Sequence, residues 1–219
     1  MKKPAATHTE SLREKILAEA LPHVAFDGWS DKTLREAAER AGASEAELKA
    51  AFPRGPVDAL VFFSSDADRR AAELIEAADL KPMRVRDRIA FAMRTRIEVV
   101  ADHKEAARRG AALLALPQYA LDGATCVWRT CDTIWRAIGD TSADFNWYTK
   151  RGLLAGVVTS TMLYWFADQS EDSEDTNKFI DNRIADVMQI EKVKAQVTKF
   201  AATLPNPFEI LGALRHPRR

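Results

Sequence analysis

Apolar residues recur every three or four positions along almost the whole chain, and this spacing constrains the fold more than any other feature. It is the period of an α-helix, in which residues i, i+3 and i+4 share one face. The pattern is clear at Ile89, Met93 and Ile97, and again from Leu154 to Trp165. No segment shows the alternation with a period of two that is typical of a half-buried strand. We therefore expect an all-α protein.

Capping residues divide the first half of this pattern into separate helices. Ser30 and Ser44 stand where N-caps are expected, and Gly42 stands where a helix would end. Two short helices joined by a tight turn that contains glycine form a helix-turn-helix pattern. Pro56 then suits the first position of a longer helix. The sequence predicts a helix-turn-helix-like domain over residues 10–55 and a helical bundle over residues 56–189.

The segment 190–219 differs from the rest in charge. It carries six basic residues against Glu191 and Glu209, and Pro205 and Pro207 interrupt its helical spacing. A basic amphipathic segment can lie on an anionic membrane surface. The alternative is a terminal helix that packs on the bundle, and the residues leave both open. The candidate membrane-binding residues are Val193, Val197, Phe200, Phe208, Ile210, Leu211 and Leu214.

Composition and motif content argue against several classes of function. The chain has 32 basic and 32 acidic side chains, so its net charge does not favour a nucleic-acid partner. Cys126 and Cys131 are five positions apart and would lie on different faces of a helix, which suggests neither a disulfide nor a metal site. The four histidines lack metal-ligand spacing, and no nucleophile or phosphate-loop motif occurs. We expect no metal, no cofactor and no catalysis.

Membrane insertion is likewise not indicated. The N-terminal residues are not followed by an apolar stretch, so we expect no signal peptide. The longest uncharged run, residues 152–167, falls short of the roughly 20 residues that span a bilayer. A buried core helix is the better interpretation.

The N-terminal unit resembles the DNA-binding domain of TetR-type repressors over about residues 10–63. In the second helix of the motif, Ser44, Leu48 and Phe52 match the family pattern, and these positions maintain the fold. The resemblance implies a TetR-like fold, with an N-terminal helix-turn-helix unit and a C-terminal helical bundle.

The same helix departs from the repressor pattern at positions that contact DNA. Glu45 and Glu47 stand where Lys and Thr are usual. Carboxylates on a helix that faces the groove would be repelled by the phosphates. A TetR-type transcriptional regulator that binds DNA and a small apolar effector therefore remains as the alternative function, not the leading one.

A TetR-like bundle implies a ligand pocket between its C-terminal helices, and such pockets are mainly apolar. The near absence of charge in residues 152–167 favours an apolar guest. Periodicity alone does not separate a pocket wall from a filled core. The candidate wall residues are Leu113, Leu114, Trp128, Trp135, Leu154, Val157, Met162 and Trp165.

The segment 139–151 combines a polar helix start with several large aromatic residues. The polar residues Asp140 to Ser142 are expected to cap this helix. Neighbouring residues on a helix lie about 100° apart, so Trp147 and Tyr148 cannot both face the core. Large aromatic side chains near a surface are typical anchors for a partner. The alternative is that they fix the start of the helix to its neighbours.

This segment, with Asp168-Gln169-Ser170 and Glu174-Asp175-Thr176 further on, closely resembles the signature of the COQ9 family of lipid-binding proteins of ubiquinone biosynthesis. The similarity covers about residues 10–190. It implies a TetR-like fold without repressor function, a homodimer and an apolar cavity for isoprenoid lipids. It also implies an accessory role, in which a quinone precursor is presented to the di-iron demethoxyubiquinone hydroxylase.

The resemblance further implies a docking patch for the hydroxylase and an amphipathic C-terminal helix that associates with membranes. The tail of this chain matches that helix in its chemistry rather than in its residues. The chain looks like a bacterial member, so the expected location is the cytoplasm, with peripheral attachment to the inner membrane. Carried over by position, the docking patch is Asp132, Ile134, Trp135, Asp144, Trp147 and Tyr148.

Overall fold

The computed structural model describes residues 8–141 and 145–203, and every regular element in those ranges is helical. Short 3₁₀ turns precede the sixth, seventh and ninth α-helices. The prediction of an all-α fold is confirmed. The α-helices in the described ranges are α1 (His8–Asp27), α2 (Asp31–Arg40), α3 (Glu45–Ala51), α4 (Pro56–Ala77), α5 (Val85–Glu98), α6 (Lys104–Leu114), α7 (Ala120–Ala137), α8 (Phe145–Ala167) and α9 (Glu174–Thr203).

Side-chain caps fix the starts of the two helix-turn-helix elements. The backbone N–H of Thr33 donates to the Ser30 hydroxyl at 3.1 Å at the start of α2. At the start of α3 the backbone N–H of Glu47 donates to the Ser44 hydroxyl, and the Ser44 N–H donates to the Glu47 carboxylate at 2.8 Å. This reciprocal pair is a capping box. Glu47 therefore stabilises the start of its own helix.

Replacing Ser44 by alanine is expected to lower the free energy of unfolding by about 1 kcal/mol, since α3 loses its N-cap. Urea denaturation followed by circular dichroism measures the change. Ser65→Ala is the matched control, because the Ser65 hydroxyl donates to the Phe62 carbonyl within the same helix, α4, and does not cap it. A helix interior favours alanine over serine, so the control should be neutral or slightly stabilising. Equal losses in both variants would contradict the role of the cap.

Arginine side chains hold the helix-turn-helix elements to the rest of the first unit. Arg13 of α1 donates from Nε to the Ala51 carbonyl at 2.7 Å, at the C-terminal end of α3. Arg54 pairs with Asp58 at 2.8 Å and with Asp122 at 3.0 Å, which ties the turn after α3 to the start of α7. These guanidinium groups are thus engaged within the protein.

The core is built around α4, which packs against α5 and α7, while α8 packs against α7. Buried residues of α4 such as Leu60, Phe63 and Ile75 supply much of this core. Trp29 extends it towards α6, since its indole N–H donates to the Ala106 carbonyl at 3.0 Å. The arrangement leaves α4, α5, α6, α7 and α8 surrounding one side of the bundle.

The chain divides into two compact units, of which the first ends at Ile180 and the second begins at Asp181. The boundary falls inside α9. In the second unit α9 continues to Thr203 and carries an ion pair between Arg183 and Asp186 at 2.7 Å. None of the described helices is both long enough and apolar enough to cross a membrane.

The predicted membrane-binding residues lie beyond what the structure describes in detail. Val193, Val197 and Phe200 belong to α9, but their side chains are outside the described part. Residues 204–219 are also outside it, and they include the remaining candidates Phe208, Ile210, Leu211 and Leu214. Membrane binding through this segment stays a prediction.

Candidate functional site

A cavity of about 520 Å³ lies between α4, α5, α6, α7 and α8. This volume falls within the range of small-molecule binding sites, about 300–1,000 Å³. Its walls are predominantly apolar, which suits a guest with little charge. Representative wall residues are Leu60, Phe63, Met93, Leu114, Ile134 and Met162.

The cavity reaches the protein surface near the ends of α6 and α7. Ala115, Ala120 and Ala124 line it and are also exposed to solvent. Leu163 of α8 lines it as well and is 63% exposed. An apolar rim of this kind allows a long hydrocarbon chain to enter without desolvating charged groups.

A buried carboxylate on α4 organises the polar part of the wall. Asp68, which is 2% exposed, accepts hydrogen bonds from Arg96 Nε at 2.7 Å, Arg129 Nε at 3.1 Å and Thr130 Oγ1 at 2.9 Å. Arg96 and Thr130 also line the cavity. Partners on three sides offset the cost of burying the Asp68 charge. The network joins α4, α5 and α7 behind the apolar surface.

Cys131 of α7 does not carry a reactive thiol. Burial, reinforced by the nearby Asp68 carboxylate, raises the pKa of the Cys131 thiol to about 12. That thiol therefore stays protonated near neutral pH, and a protonated thiol is neither a nucleophile nor a metal ligand. Across residues 8–141 and 145–203 no cluster of His, Cys, Asp or Glu side chains is suited to hold a metal ion.

A charge cluster joins α7 to α8. Arg151 is 1% exposed, donates from Nε to Asp132 at 2.7 Å, and lies 3.5 Å from Asp140 through Nη1. Lys150 donates to the other oxygen of Asp140 at 2.7 Å. The Asp140 carboxylate thus pairs with Lys150 and Arg151 of α8, which begins at Phe145. Capping of this helix by residues 140–142 stays a prediction, because residues 142–144 lie outside the described ranges. Asp132, Asp140, Lys150 and Arg151 are called the charge cluster below.

Three aromatic rings lie next to the charge cluster and form what we call the aromatic surface: Trp128, Trp147 and Tyr148. The Trp128 and Trp147 centroids are 5.6 Å apart, and those of Trp147 and Tyr148 are 4.7 Å apart, both in edge-on geometry. The Arg151 guanidinium lies 4.0 Å from the Trp147 centroid. Trp128 is 37% exposed and Tyr148 is 62% exposed, so the surface presents large rings to solvent in a fixed arrangement.

Comparison with known proteins assigns the chain to a family. The COQ9 family model matches residues 120–191. The chain is 30% identical over 195 residues to the ubiquinone biosynthesis protein COQ9, mitochondrial, of Rattus norvegicus, across 86% of this chain and 62% of that protein. It is 28% identical over 195 residues to the Homo sapiens protein, across 86% of this chain and 61% of that protein. The chain belongs to the COQ9 family.

This COQ9-family chain spans 62% of the rat protein and 61% of the human one, so it covers about three-fifths of their length. The Drosophila melanogaster COQ9 protein is 30% identical over 203 residues, across 91% of this chain and 62% of that protein. The chain is therefore a homologue of ubiquinone biosynthesis proteins. The residues matched by the family model contain α7, α8, the charge cluster and the aromatic surface.

Solved structures show that this COQ9-family chain has a TetR-like fold. The TetR transcriptional regulator from Nitrosomonas europaea superimposes with a TM-score of 0.66 at 19% identity, over 80% of this chain and 97% of that one. A TetR-family regulator from Mesorhizobium loti gives a TM-score of 0.54 at 14% identity, over 84% of this chain and 98% of that one. The predicted TetR-like fold is confirmed.

The structure distributes the predicted lipid-contacting residues of this COQ9 member between the cavity and other places. Leu114 and Met162 line the cavity. Trp128, predicted as a wall residue, is not among the residues that line the cavity and lies on the aromatic surface against Trp147 and Tyr148. The remaining candidates Leu113, Leu154, Val157 and Trp165 are not among the residues that line the cavity.

Trp165 shows why helical spacing misplaced part of the wall. It is 1% exposed, and its indole N–H donates to the Ser173 hydroxyl at 3.3 Å. The Lys104 ammonium lies 5.2 Å from its ring centroid. Trp165 thus fills the space between α6 and the turn after α8, whereas its neighbour Phe166 lines the cavity.

The predicted docking patch is also divided. Asp132 lies in the charge cluster, and Trp147 and Tyr148 lie on the aromatic surface, so the structure brings these residues together. Ile134 is 2% exposed and lines the cavity, and Trp135 is 8% exposed. Burial leaves these two side chains little area for a partner. The sixth member of the patch, Asp144, is outside the described residues.

Sequence reasoning missed Arg151 and the position of Trp128. A signal for both was present, since Trp128 and Asp132 are four residues apart on α7, and Trp147 and Arg151 are four apart on α8. Residues at this spacing share a helix face. The crossing of α7 and α8 that joins the two pairs was not available from the sequence.

The second stretch that resembles COQ9 proteins closes the turn between α8 and α9. The Asp168 carboxylate accepts from the Ser170 N–H at 2.8 Å, the Ser170 hydroxyl at 2.7 Å and the Thr176 N–H at 2.9 Å. Burial raises the pKa of Asp168, but these hydrogen bonds from Thr176 and Ser170 outweigh it and hold that pKa below its usual range. Asp168, Ser170 and Thr176 therefore have a structural role.

Proposed function

We propose that this chain is a non-catalytic, lipid-binding accessory protein of ubiquinone biosynthesis, which presents an isoprenoid quinone precursor to the demethoxyubiquinone hydroxylase. The observation that carries the proposal is the apolar cavity of about 520 Å³ between α4 and α8. Its walls would shelter an isoprenoid chain from water, which is the main favourable term in binding such a lipid. Membership of the COQ9 family supports ubiquinone biosynthesis as the pathway in which the chain acts.

The aromatic surface is the proposed docking site for the hydroxylase. Partly exposed Trp and Tyr side chains dominate the binding energy of many protein interfaces. The charge cluster holds Trp147 through the Arg151 guanidinium, so less side-chain freedom is lost on binding. Ala124 lines the cavity rim one helical turn before Trp128, so a partner on the aromatic surface would lie near the rim.

Membrane attachment and dimer formation complete the proposal. The basic segment 190–219 would hold the chain at the headgroup layer of an anionic membrane, where the lipid is available. The chain would act as a homodimer. Both statements rest on the sequence and on the family resemblance.

Hydroxylation in vesicles tests the proposal directly. Vesicles that contain demethoxyubiquinone are incubated with the purified hydroxylase, with and without the full-length chain, and the product is quantified. We expect a faster reaction when both proteins are present and no product from this chain alone. An unchanged rate would contradict the role in presentation, and turnover by this chain alone would contradict the assignment as non-catalytic.

Replacing Tyr148 by alanine is expected to weaken binding to the hydroxylase about tenfold or more, as for an exposed aromatic anchor. Titration calorimetry with the full-length proteins measures the affinity. Tyr164→Ala is the matched control on the same helix, since Tyr164 stacks on Phe179 with centroids 4.4 Å apart. Equal affinities for the Tyr148 and Tyr164 variants would remove the aromatic surface from the proposal.

Transcriptional regulation is the alternative, and the TetR-like fold is what favours it. Its recognition helix α3 begins with two exposed carboxylates, Glu45 and Glu47, where phosphates would approach. Tight, salt-sensitive binding to a palindromic DNA site would support this alternative.

A further inference from the structure

Thr161 on α8 places an unused polar group in the cavity wall. The residue is 0% exposed and lines the cavity. Its hydroxyl oxygen has no hydrogen-bond partner among the described residues. A buried hydroxyl without a partner is costly, and the great majority of buried polar side chains avoid that state.

A threonine inside a helix commonly donates to the carbonyl four residues earlier, which for Thr161 is that of Val157. The Thr161 hydroxyl makes no such hydrogen bond in the described part of the chain. Its neighbour Ser160 does, since the Ser160 hydroxyl lies 2.8 Å from the Gly156 carbonyl.

Two other polar wall residues are committed elsewhere. Arg96 and Thr130 both donate to the buried Asp68 carboxylate. Two guanidinium groups, Arg96 and Arg129, face this one carboxylate, so the group carries one net positive charge. Of these two, Arg96 lines the cavity, and its charge is paired with Asp68.

We propose that the Thr161 hydroxyl hydrogen-bonds to an oxygen of the guest, and thereby selects a polyprenyl lipid with an oxygenated head group over a hydrocarbon of similar shape. The matching chemistry is that of a quinone carbonyl, a ring methoxy group or a phenol. Such an oxygen would supply the partner that the buried Thr161 hydroxyl lacks, and a missing partner at an apolar wall costs free energy for both groups. The inference rests on the proposed lipid-binding function.

Thr161→Val tests the inference, because valine keeps the shape and replaces the hydroxyl by a methyl group. Vesicles containing either ubiquinone or squalene, which has no oxygen, are mixed with the full-length chain. The protein is re-isolated, and the retained lipid is extracted and quantified per chain. Thr159→Val is the matched control, since Thr159 lines the cavity on the same helix but is exposed to solvent.

The inference predicts that Thr161→Val weakens ubiquinone retention about five- to tenfold, the size of one lost hydrogen bond, and leaves squalene retention unchanged. Thr159→Val should change neither. Equal retention of ubiquinone by wild type and Thr161→Val would overturn the inference, and so would an equal loss of both lipids. If wild type retains neither lipid, the proposed function itself fails, and the inference fails with it.

A second readout does not depend on lipid. Removing an unpaired buried hydroxyl should raise the melting temperature of the lipid-free protein by about 2–4 °C, as expected for a gain near the cost of one unsatisfied group. Differential scanning calorimetry measures this shift. A fall in the melting temperature would show that the hydroxyl is already paired in the free protein, and would overturn the inference.

Discussion

Replacing Arg151 by methionine is expected to lower the free energy of unfolding by about 3–5 kcal/mol, the usual cost of removing one partner from a buried ion pair. The arginine is 1% exposed and pairs with both Asp132 and Asp140. Methionine fills similar space but leaves both the Asp132 and the Asp140 carboxylates with one cationic partner fewer. Urea denaturation of the full-length protein measures the change.

Arg136→Met is the matched control for this variant. Arg136 pairs with the same Asp132 carboxylate at 2.8 Å, but its side chain is 71% exposed. An exposed pair contributes about 0–1 kcal/mol, so the control should change stability little. If the two variants lost the same stability, the burial of Arg151 would not explain its role, and the charge cluster would not be what fixes α7 against α8.

The Arg151 variant should also weaken docking of the hydroxylase. The guanidinium lies over the Trp147 ring and donates to the Trp147 carbonyl at 3.2 Å. Without the guanidinium, the Trp147 ring is no longer held in one orientation. Binding of a partner would then have to order the ring, which costs side-chain entropy. The loss of affinity should exceed that of Arg136→Met at a temperature where both variants remain folded.

Replacing Ala111 by tryptophan is expected to reduce the lipid retained per chain about tenfold or more, because the new ring occupies the cavity. Ala111 lies on α6 and lines the cavity. A ring that fills the cavity prevents the burial of the lipid chain, which drives binding. Each methylene group of the lipid that is no longer buried costs about 0.8 kcal/mol of binding free energy. The measurement is organic extraction after incubation with vesicles that contain a polyprenyl quinone.

Ala112→Trp provides the comparison, since Ala112 is the next residue on α6, is exposed, and does not line the cavity. It adds the same side chain to the same helix without filling the cavity. Lipid retention by this control should match that of wild type. A loss of lipid in both variants, or in neither, would show that the cavity is not where the lipid binds.

Local sequence signals predicted the helices well because caps act within a few residues. Pro56 was expected at the first position of a longer helix, and α4 begins there and continues for 22 residues. Ser30 and Ser44 were expected as N-caps, and both accept the hydrogen bonds of that role. The interior spacing of apolar residues then identified an all-α fold.

The cavity was harder to predict because a wall and a filled core have the same spacing. Leu60, Phe63 and Met93 line the cavity, yet in sequence they are ordinary core positions of α4 and α5. Trp128 was expected in the wall, but the crossing of α7 and α8 places it against Trp147. Which face of a helix meets a gap depends on all the neighbouring helices at once.

The charge cluster was missed for a similar reason. Asp132 and Arg151 are 19 positions apart and on different helices, so their 2.7 Å contact has no local signature. Residues 140–142 were interpreted as helix caps, and the pairing of Asp140 with Lys150 and Arg151 was not predicted. The aromatic residues of the same segment were correctly expected to include one that faces solvent, since Tyr148 is 62% exposed.

Native mass spectrometry of the full-length protein, re-isolated from vesicles that contain a polyprenyl quinone, tests the central claim most directly. A cavity that holds the lipid predicts a species whose mass exceeds that of the chain by one quinone per chain. Collisional activation should release the quinone as a distinct mass. Spectra that show only the lipid-free chain, under conditions where the vesicles supply the quinone in excess, would contradict the account.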